Sequence, residues 1–578
     1  MTQYEIMRRK AHVEDDGALS AYHPVVKRVL INRSISQPEQ ITYVLNGLSP
    51  PAKLFGLDAA VNRIAMALEQ EQAIQIVGDY DVDGATSTTL AMEGLTQMGC
   101  KNVSYCVPNR FDYGYGLSLK LAQEMLKNPP NLVITVDNGI SSIEGVALLK
   151  QHNIDVVVTD HHLPGEALPD AVAIVNPNQA ACNFPSKMLA GVGVIFYLML
   201  ALRAYLQKSN WFEQKSITVP PLVDLLDLVA LGTVADLVPL DENNRILVAQ
   251  GVARMRSGKT RPGIKALMQV AKRDLSNLVA NDLGYSVGPR LNAAGRLADI
   301  ATGIECLLAK SEQAARQLAD ALDEINQQRK SVELEMQSQA FSVLDALNLS
   351  ESEANQSAVA LFDDSWHEGV VGLVASRVKD KTGLPAAIFA PGADGMIKGS
   401  CRSIKQVHIR DVLATINAQQ PGLIVKFGGH AMAAGLSLKQ LDFDSFQQAF
   451  YQEIERVMKG LPRENQIWTD GALTGNELSM ELAEALRTLS PWGQAFPAPQ
   501  FDGIFKVLSA RVVGETHLKL CLQPEGMHNS IDGIAFRYID EPGKKIDFDL
   551  IHAVYTLDVN EFRGNKSVQL IIQYLEAI

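Results

Sequence analysis

AIQIVGDYDVDGAT, residues 73–86, runs an apolar, strand-like segment straight into three alternating carboxylates and a glycine that opens a helical stretch. Three more segments repeat the plan: NLVITVDNG at 131–139, IDVVVTDHH at 154–162 and AVAIVNP at 171–177, with helical stretches such as Thr86–Met98 and Ser141–His152 between them. Continuous Val/Ile runs joined by helices are what a parallel sheet covered on both faces requires. Chemistry in such sheets gathers beyond the carboxyl ends of the strands, and each of these strands ends on a polar residue. The fold class of this region is therefore α/β.

Working outward, residues 304–368 contain neither Gly nor Pro, and Leu318, Leu322, Ile325, Val332 and Met336 recur at helical spacing. They mark one face of a long amphipathic helix that connects two parts of the chain. A second α/β block is expected at 357–460, with a strand at Ala358–Phe362, a helix from Val370, a strand near Ala386–Phe389 and a glycine-rich turn at KFGGHAMAAG. Beyond Pro462, HLKLCL, DGIAF, LIHAVYTLDV and VQLIIQYLE read as short strands of a small β-barrel or sandwich. The longest apolar run, Met188–Leu202, falls short of the ~20 residues a bilayer span needs and reads as a buried helix. Six scattered cysteines form no CxxC pair, and the opening MTQYEIMRRKAHVEDD has no apolar core. Both suit a reducing cytoplasm.

The chain carries 52 Lys+Arg against 65 Asp+Glu, a net charge of −13, which excludes a protein that merely coats nucleic acid. The balance is uneven. Nine Lys/Arg between Gly251 and Arg296 face only Asp274 and Asp282, so this segment is a candidate phosphate track.

Asp79, Asp81 and Asp83 share one loop, and one face of it if the loop stays extended. Carboxylates so close repel unless one stays protonated or a divalent cation neutralises them. A calcium loop needs a bidentate acid at its twelfth position; counted from Asp79 that is Leu90, so this reading fails. Asp137 in VDNG and Asp160, His161 and His162 in TDHH end the next strands, and paired histidines beside an Asp suit a ligand with an orienting neighbour. Asp236 in GTVADLVPL is an acid in an almost wholly apolar segment, costly without a cation. Such an oxygen-rich set suits Mn²⁺ or Mg²⁺ better than Zn²⁺. It suffices for two ions sharing a carboxylate, an arrangement that serves phosphoester hydrolysis. In the second block, Gly399-Ser400-Cys401-Arg402-Ser403 is read as a tight turn offering amides, a hydroxyl and a guanidinium to a terminal phosphate, with Gly428-Gly429-His430 adding a close approach.

GDYDVDGAT, VDNG, TDHH and GTVADLVPL, in this order, resemble the four motifs of the DHH phosphoesterases. VPNRFDYGYGL, LAGVGVIFYLMLALR, GPRLNAAGR, KGSCRS and KFGGHAMAAGLS extend the likeness over nearly the whole length to that superfamily's bacterial single-strand-specific 5′→3′ exonucleases. The resemblance implies two α/β domains joined by a long helix, plus a C-terminal β-barrel. They would be a helical lead-in at 1–70, a DHH domain at 71–240, a basic segment and connecting helix at 241–350, a DHHA1 domain at 351–460 and an OB-fold at 461–578. It implies that Asp81, Asp83, Asp137, His161 and Asp236 ligate two Mn²⁺ or Mg²⁺ ions, with Asp137 bridging and Asp79, Asp160 and His162 in catalytic roles beside them. It implies that Arg110, Arg290, Arg296, Ser400, Arg402 and His430 contact the 5′ end and nearby phosphates of single-stranded DNA. By the same likeness the enzyme releases 5′-mononucleotides in recombination and repair. It would work in the cytoplasm, away from membranes, beside a helicase and a single-strand-binding protein.

Overall fold

A computed structural model describes residues 4–10, 13–14, 16–108, 113–348, 357–459, 466–514, 516–539, 548–562 and 565–578. They fall into two compact units: Tyr4–Gly295, Ile300–Asp320 and Gln466–Ile578 in one, Arg296–Asp299 and Ala321–Asn465 in the other.

In the larger unit, strand β1 (Glu5–Arg8) precedes a sheet built from the segments quoted above: β2 (Ile74–Val77), β3 (Val103–Cys106), β4 (Leu132–Val136), β5 (Asp155–Thr159) and β6 (Ala173–Val175). The order is β3-β2-β4-β5-β6 and every pairing is parallel. β3, with sequence VSYC, is too short and too polar to stand out as a strand in the chain. Leu121, Ala122, Met125, Val146 and Leu149 pack on Val77, Val133, Val156 and Val158, filling one face of the sheet. The helices Val82–Gln97, Gly191–Lys208 and Leu226–Ala235 pack on one another. The apolar run near 188–202 is thereby explained: every side chain from Val192 to Met199 is buried. Among the described residues no helix is long and apolar enough to cross a membrane.

The connection from β2 leads to β3 on one side, while β4 lies on the other side of β2. The chain direction around the sheet thus reverses between β2 and β4, which leaves a crevice at their carboxyl ends. GDYDVDG follows β2 and VDNG follows β4, so two acidic motifs face that crevice from its two sides.

The long helix spans Glu312–Asn348 and passes from the larger unit into the smaller. There β7 (Val359–Phe362), β8 (Ala386–Pro391), β9 (Met396–Arg402), β10 (Lys426–Gly429) and β11 (Ala433–Lys439) form a mixed sheet in the order β10-β11-β9-β8-β7. Strand alternation sends Val359, Leu361 and Ile388 to the face covered by Met336, Ala340 and Leu344 of the long helix and by Val371–Thr382. It sends Ala358, Ala360 and Phe389 to the face covered by Ile409–Gln419 and Phe443–Met458. The expected tight turn at 399–403 is not one. Gly399 to Arg402 lie on β9, paired with β8 on one side and β11 on the other, so their amides serve the ladder. Small residues hid the alternation: a Cβ on Gly399 would meet the Phe389 ring at 2.3 Å. Gly428 and Gly429 likewise belong to β10, and only the residues between β10 and β11 form the turn.

The remainder of the larger unit holds β12 (Gln466–Thr469) and a closed five-stranded barrel, β13 (Phe501–Val513), β14 (His517–Pro524), β15 (Ile531–Ala535), β16 (Leu550–Phe562) and β17 (Asn565–Ala577), ordered β13-β14-β15-β17-β16. Five strands closing in this way are OB-like. The first seventy residues are only partly the expected helical lead-in. Beside the helices Pro24–Ile31 and Leu57–Glu69 they supply β1, which pairs in parallel with β12. They also supply Arg33, whose guanidinium is buried against Asp470 at 2.9 Å.

Candidate metal centre

Asp79 follows β2 directly, and a Cβ on Gly84 would lie 2.4 Å from its carbonyl oxygen, so the loop needs glycine there. The loop does not stay extended. The helix Val82–Gln97 begins at once, and Asp81 caps it by accepting from the backbone N–H groups of Asp83 (2.9 Å) and Gly84 (3.1 Å). Asp83 therefore leaves the face of Asp79 and Asp81. Its two oxygens accept from the N–H groups of Gly191 (2.6 Å) and Val192 (2.9 Å), at the positive end of the buried helix Gly191–Lys208.

Asp137 ends β4 in the left-handed region, φ 60°, which a non-glycine residue occupies only at a cost. The strained turn aims its carboxylate inward: Oδ1 lies 3.1 Å from His161 Nε2 and, though buried, accepts no hydrogen bond. Asn138 ties β2 to β4 by donating to the carbonyls of Val77 and Val136, each at 2.9 Å. His161 Nε2 also stands 3.5 Å from Asp236 Oδ2 and 3.9 Å from Asp83 Oδ2. Asp236 caps the C-terminus of the helix Leu226–Ala235.

The donor atoms form three groups: Asp79 with Asp81 and Asp137; Asp83 with His161 and Asp236; and Asp137 with His161 and His162. Asp137 belongs to two of them. Asp160 joins none among the described residues, because its oxygens are occupied. Oδ1 accepts from the N–H groups of His161 and His162 and bonds His162 Nδ1 at 2.7 Å, and Oδ2 accepts from Ile140 N–H.

Burial, then the charge of Asp81, raises the Asp83 carboxyl to about 7 against the pull of the Val192 and Gly191 amides. Burial and the charges of Asp83 and Asp81 push Asp137 and Asp236 well above the carboxylate range. Burial alone would lower His162, but its bond to Asp160 and the charge there hold it at about 9. The same pair keeps Asp160 below its ordinary value despite burial. A cluster of buried carboxylates that must otherwise take up protons, with the orphaned Asp137 Oδ1 at its centre, is a donor set for hard divalent cations.

Several supporting residues carry no signal in the sequence by type alone. A Cβ on Gly191 would lie 2.6 Å from Asp137 Cβ and 2.7 Å from its Oδ1. Gly191→Ala is therefore expected to weaken Mn²⁺ binding about 10-fold or more, the range for disturbing a ligand's support. Gly193→Ala, facing only Leu189, serves as the control, and titration calorimetry compares the two. Asn292 accepts from Val82 N–H at 3.2 Å and Gly295 presses against the Tyr80 carbonyl, which docks the helix Gly288–Leu297 on the first motif. Tyr115 donates to the Asp137 carbonyl at 3.3 Å and its ring meets His162 edge-on.

In the smaller unit, Ser400 and Arg402 share a face of β9, the Arg402 guanidinium donating to Ser400 Oγ at 2.9 Å. Both abut Gly372 in the first turn of the helix Val371–Thr382, where a Cβ would lie 2.9 Å from Arg402 Nη2. Arg296 donates to the Gly369 carbonyl at 3.2 Å beside that turn. His430 sits in the β10–β11 turn, next to Ala433, which pairs with Arg402. Arg290 is largely buried and donates to the Ser286 carbonyl at 2.5 Å. Arg110 lies outside the described residues.

The basic segment is not an open track. Arg261 is buried between Asp227 and Glu93, and Arg254, Lys265 and Arg273 pair with Asp224, Glu312 and Asp282. Arg254, Arg261 and Lys265 answer acids elsewhere in the chain that a local count does not see.

Residues 73–233 match the DHH family, N-terminal domain, 355–457 the DHHA1 domain, and 469–574 the RecJ OB domain. The chain is 47% identical over 572 residues to the single-stranded-DNA-specific exonuclease RecJ of Salmonella typhimurium, covering 99% of each chain. It is 46% identical over 569 residues to that of Escherichia coli, covering 98% of each. In fold it resembles RecJ in complex with Mn²⁺ from Thermus thermophilus, with a TM-score of 0.81 and 26% identity over 99% of this chain and 80% of that one.

Proposed function

Because the chain belongs to the RecJ family of single-stranded-DNA-specific exonucleases within the DHH phosphoesterases, we propose a role for each side chain of its centre. The enzyme is a Mn²⁺- or Mg²⁺-dependent hydrolase that degrades single-stranded DNA from the 5′ end to 5′-mononucleotides in recombination and repair. The observation that carries the assignment of residues is the overlap of three donor groups at the reversal point of the sheet, with Asp137 common to two.

Asp81, Asp83, Asp137, His161 and Asp236 hold two divalent ions, and Asp137 bridges them. When bound, such ions polarise the phosphoryl oxygens and offset the charge that develops on them. The Gly191 and Val192 amides fix Asp83 so that its remaining lone pairs face the site. Asp79 completes the donors on the side of Asp81. Asp160 acts as a positioning residue: it orients His162, which faces the phosphate as a hydrogen-bond donor.

Ser400, Arg402 and His430 receive the 5′-phosphate, with Arg296 alongside. Arg402→Ala is expected to lose roughly 10-fold of the preference for 5′-phosphate over 5′-hydroxyl ends, as removal of one charged hydrogen bond implies. Competition between the two substrates reads this out, and an unchanged ratio rejects the assignment. We place the enzyme in the cytoplasm, in keeping with its unpaired cysteines, beside a helicase that supplies 5′-ended strands and a single-strand-binding protein. A nuclease assay on 5′- and 3′-labelled single and double strands with Mn²⁺, Mg²⁺ or EDTA tests the whole reading. Cleavage of duplex ends, or activity surviving EDTA, overturns it.

A further inference from the structure

Tyr285 is 81% exposed, well ahead of the next Phe, Tyr or Trp among the described residues, Phe536, at 56%. It sits on a π-helical turn, Leu283–Val287, whose other large side chains, Leu283 and Val287, are fully buried. The wider turn keeps those two facing inward and leaves Tyr285 on the opposite side. Such turns are rare and frequent at functional sites. Folding gives no return for this one, since the ring buries little.

The turn is held from both ends by segments of the metal centre. Gly284 and Gly288 lie beside Val234 and Ala235, where added Cβ atoms would make ordinary contacts, 3.4 Å from Val234 Cγ1 and 3.7 Å from Ala235 Cβ. The next residue of that segment is Asp236, and after it Leu237 stands 70% exposed at φ 57°. On the other side, the helix Gly288–Leu297 is fastened to the first motif through Asn292 and Gly295. Tyr285 is thus an exposed ring on a turn that packs against the helix whose C-terminus Asp236 caps. The enzyme's substrate carries unpaired bases, and a base stacked on an aromatic ring gains ~1–3 kcal/mol regardless of its identity.

We propose that Tyr285 is a stacking shelf for a nucleobase of the single strand, next to the nucleotide whose phosphodiester is cleaved. The shelf binds without regard to sequence and requires an unpaired base, so it contributes to single-strand specificity from within the catalytic unit. The inference rests on the placement of Asp236 in the metal centre.

Steady-state degradation of long single strands by the full chain with saturating Mn²⁺ tests it. Tyr285→Ala is expected to raise KM about 10-fold with kcat and melting temperature unchanged, while Tyr285→Phe and Tyr285→Trp keep the parent KM. A strand with abasic positions near its 5′ end should raise the parent's KM to that of the alanine variant and leave the variant's own KM in place. An unchanged KM in Tyr285→Ala, or an equal rise in Tyr285→Phe, overturns the proposal. In the same series Asp236→Ala checks the metal centre separately: if it keeps full activity, the placement of Asp236 fails, whatever Tyr285 does.

Discussion

Asp137→Asn lowers single-strand exonuclease activity by about three orders of magnitude or more and raises the melting temperature of the metal-free protein at pH 8. Both effects have one source. The carboxylate is buried, lies 3.1 Å from His161 Nε2, and is crowded by Asp83, Asp81, Asp79 and Asp236. With ions present, its loss removes the one carboxylate common to two groups, and a thousandfold loss corresponds to ~4 kcal/mol of transition-state stabilisation. Without ions, the amide removes a charge that burial and four neighbours oppose. An alanine would also open a cavity, so the near-isosteric asparagine separates the two effects. Retention of Mn²⁺-dependent cleavage by Asp137→Asn would show that the ions are held elsewhere.

The second large effect is in pH and metal. An unfolded aspartate titrates near 3.8, whereas the folded state raises Asp83 to about 7 and pushes Asp137 and Asp236 in the same direction. Between those values the folded chain keeps protons that the unfolded chain has released, so the metal-free protein loses stability as pH rises from about 4 to about 7. For Asp83 alone the loss is on the order of a few kcal/mol. His162 acts in the same direction at higher pH: its raised value contributes stability below about 6.5 that is lost as pH passes about 9. Asp160 opposes only at acid pH, where its lowered carboxyl is protonated. Mn²⁺ must displace the retained protons, so calorimetry in two buffers of different ionisation enthalpy is expected to show proton release that is large at pH 6 and small above pH 8. Thermal melts with and without Mn²⁺ should diverge over the same range. A metal-free stability that rises between pH 5 and 7 contradicts this arrangement.

Asp79, Asp137 and Asp160 were legible in the sequence because each follows an apolar strand, and strand ends converge in a parallel sheet, whereas Asp236 caps a helix and was legible only as an acid in an apolar segment. What each acid does was not. Asp83 and Asp160 differ through partners remote in sequence, the Gly191 and Val192 amides in one case and His162 with Ile140 in the other. Strand β9 was misread because glycine, serine and cysteine follow a strand's alternation without the usual bulky signal. The basic segment misled for an electrostatic reason: counting charges along the chain ignores Asp227 and Glu93, which fold against Arg261. The first seventy residues hid β1 because its only partner lies beyond residue 460.

That last pairing bears on how the protein is made. Glu5 leaves the ribosome about 460 residues before Gln466, the residue it pairs with. At roughly 5–20 residues per second the wait is about 25–90 s. During this interval the main segment of the smaller unit, Ala321–Asn465, is complete and has time to fold first. Asp470 reaches Arg33 only after that. A chain cut short before residue 466 presents a complete set of catalytic acids on an unfinished scaffold, with an unpaired strand and a stranded arginine, both of which mark it for proteolysis. The two ends of the chain are thus joined last, by the β1–β12 pairing and the Arg33–Asp470 ion pair.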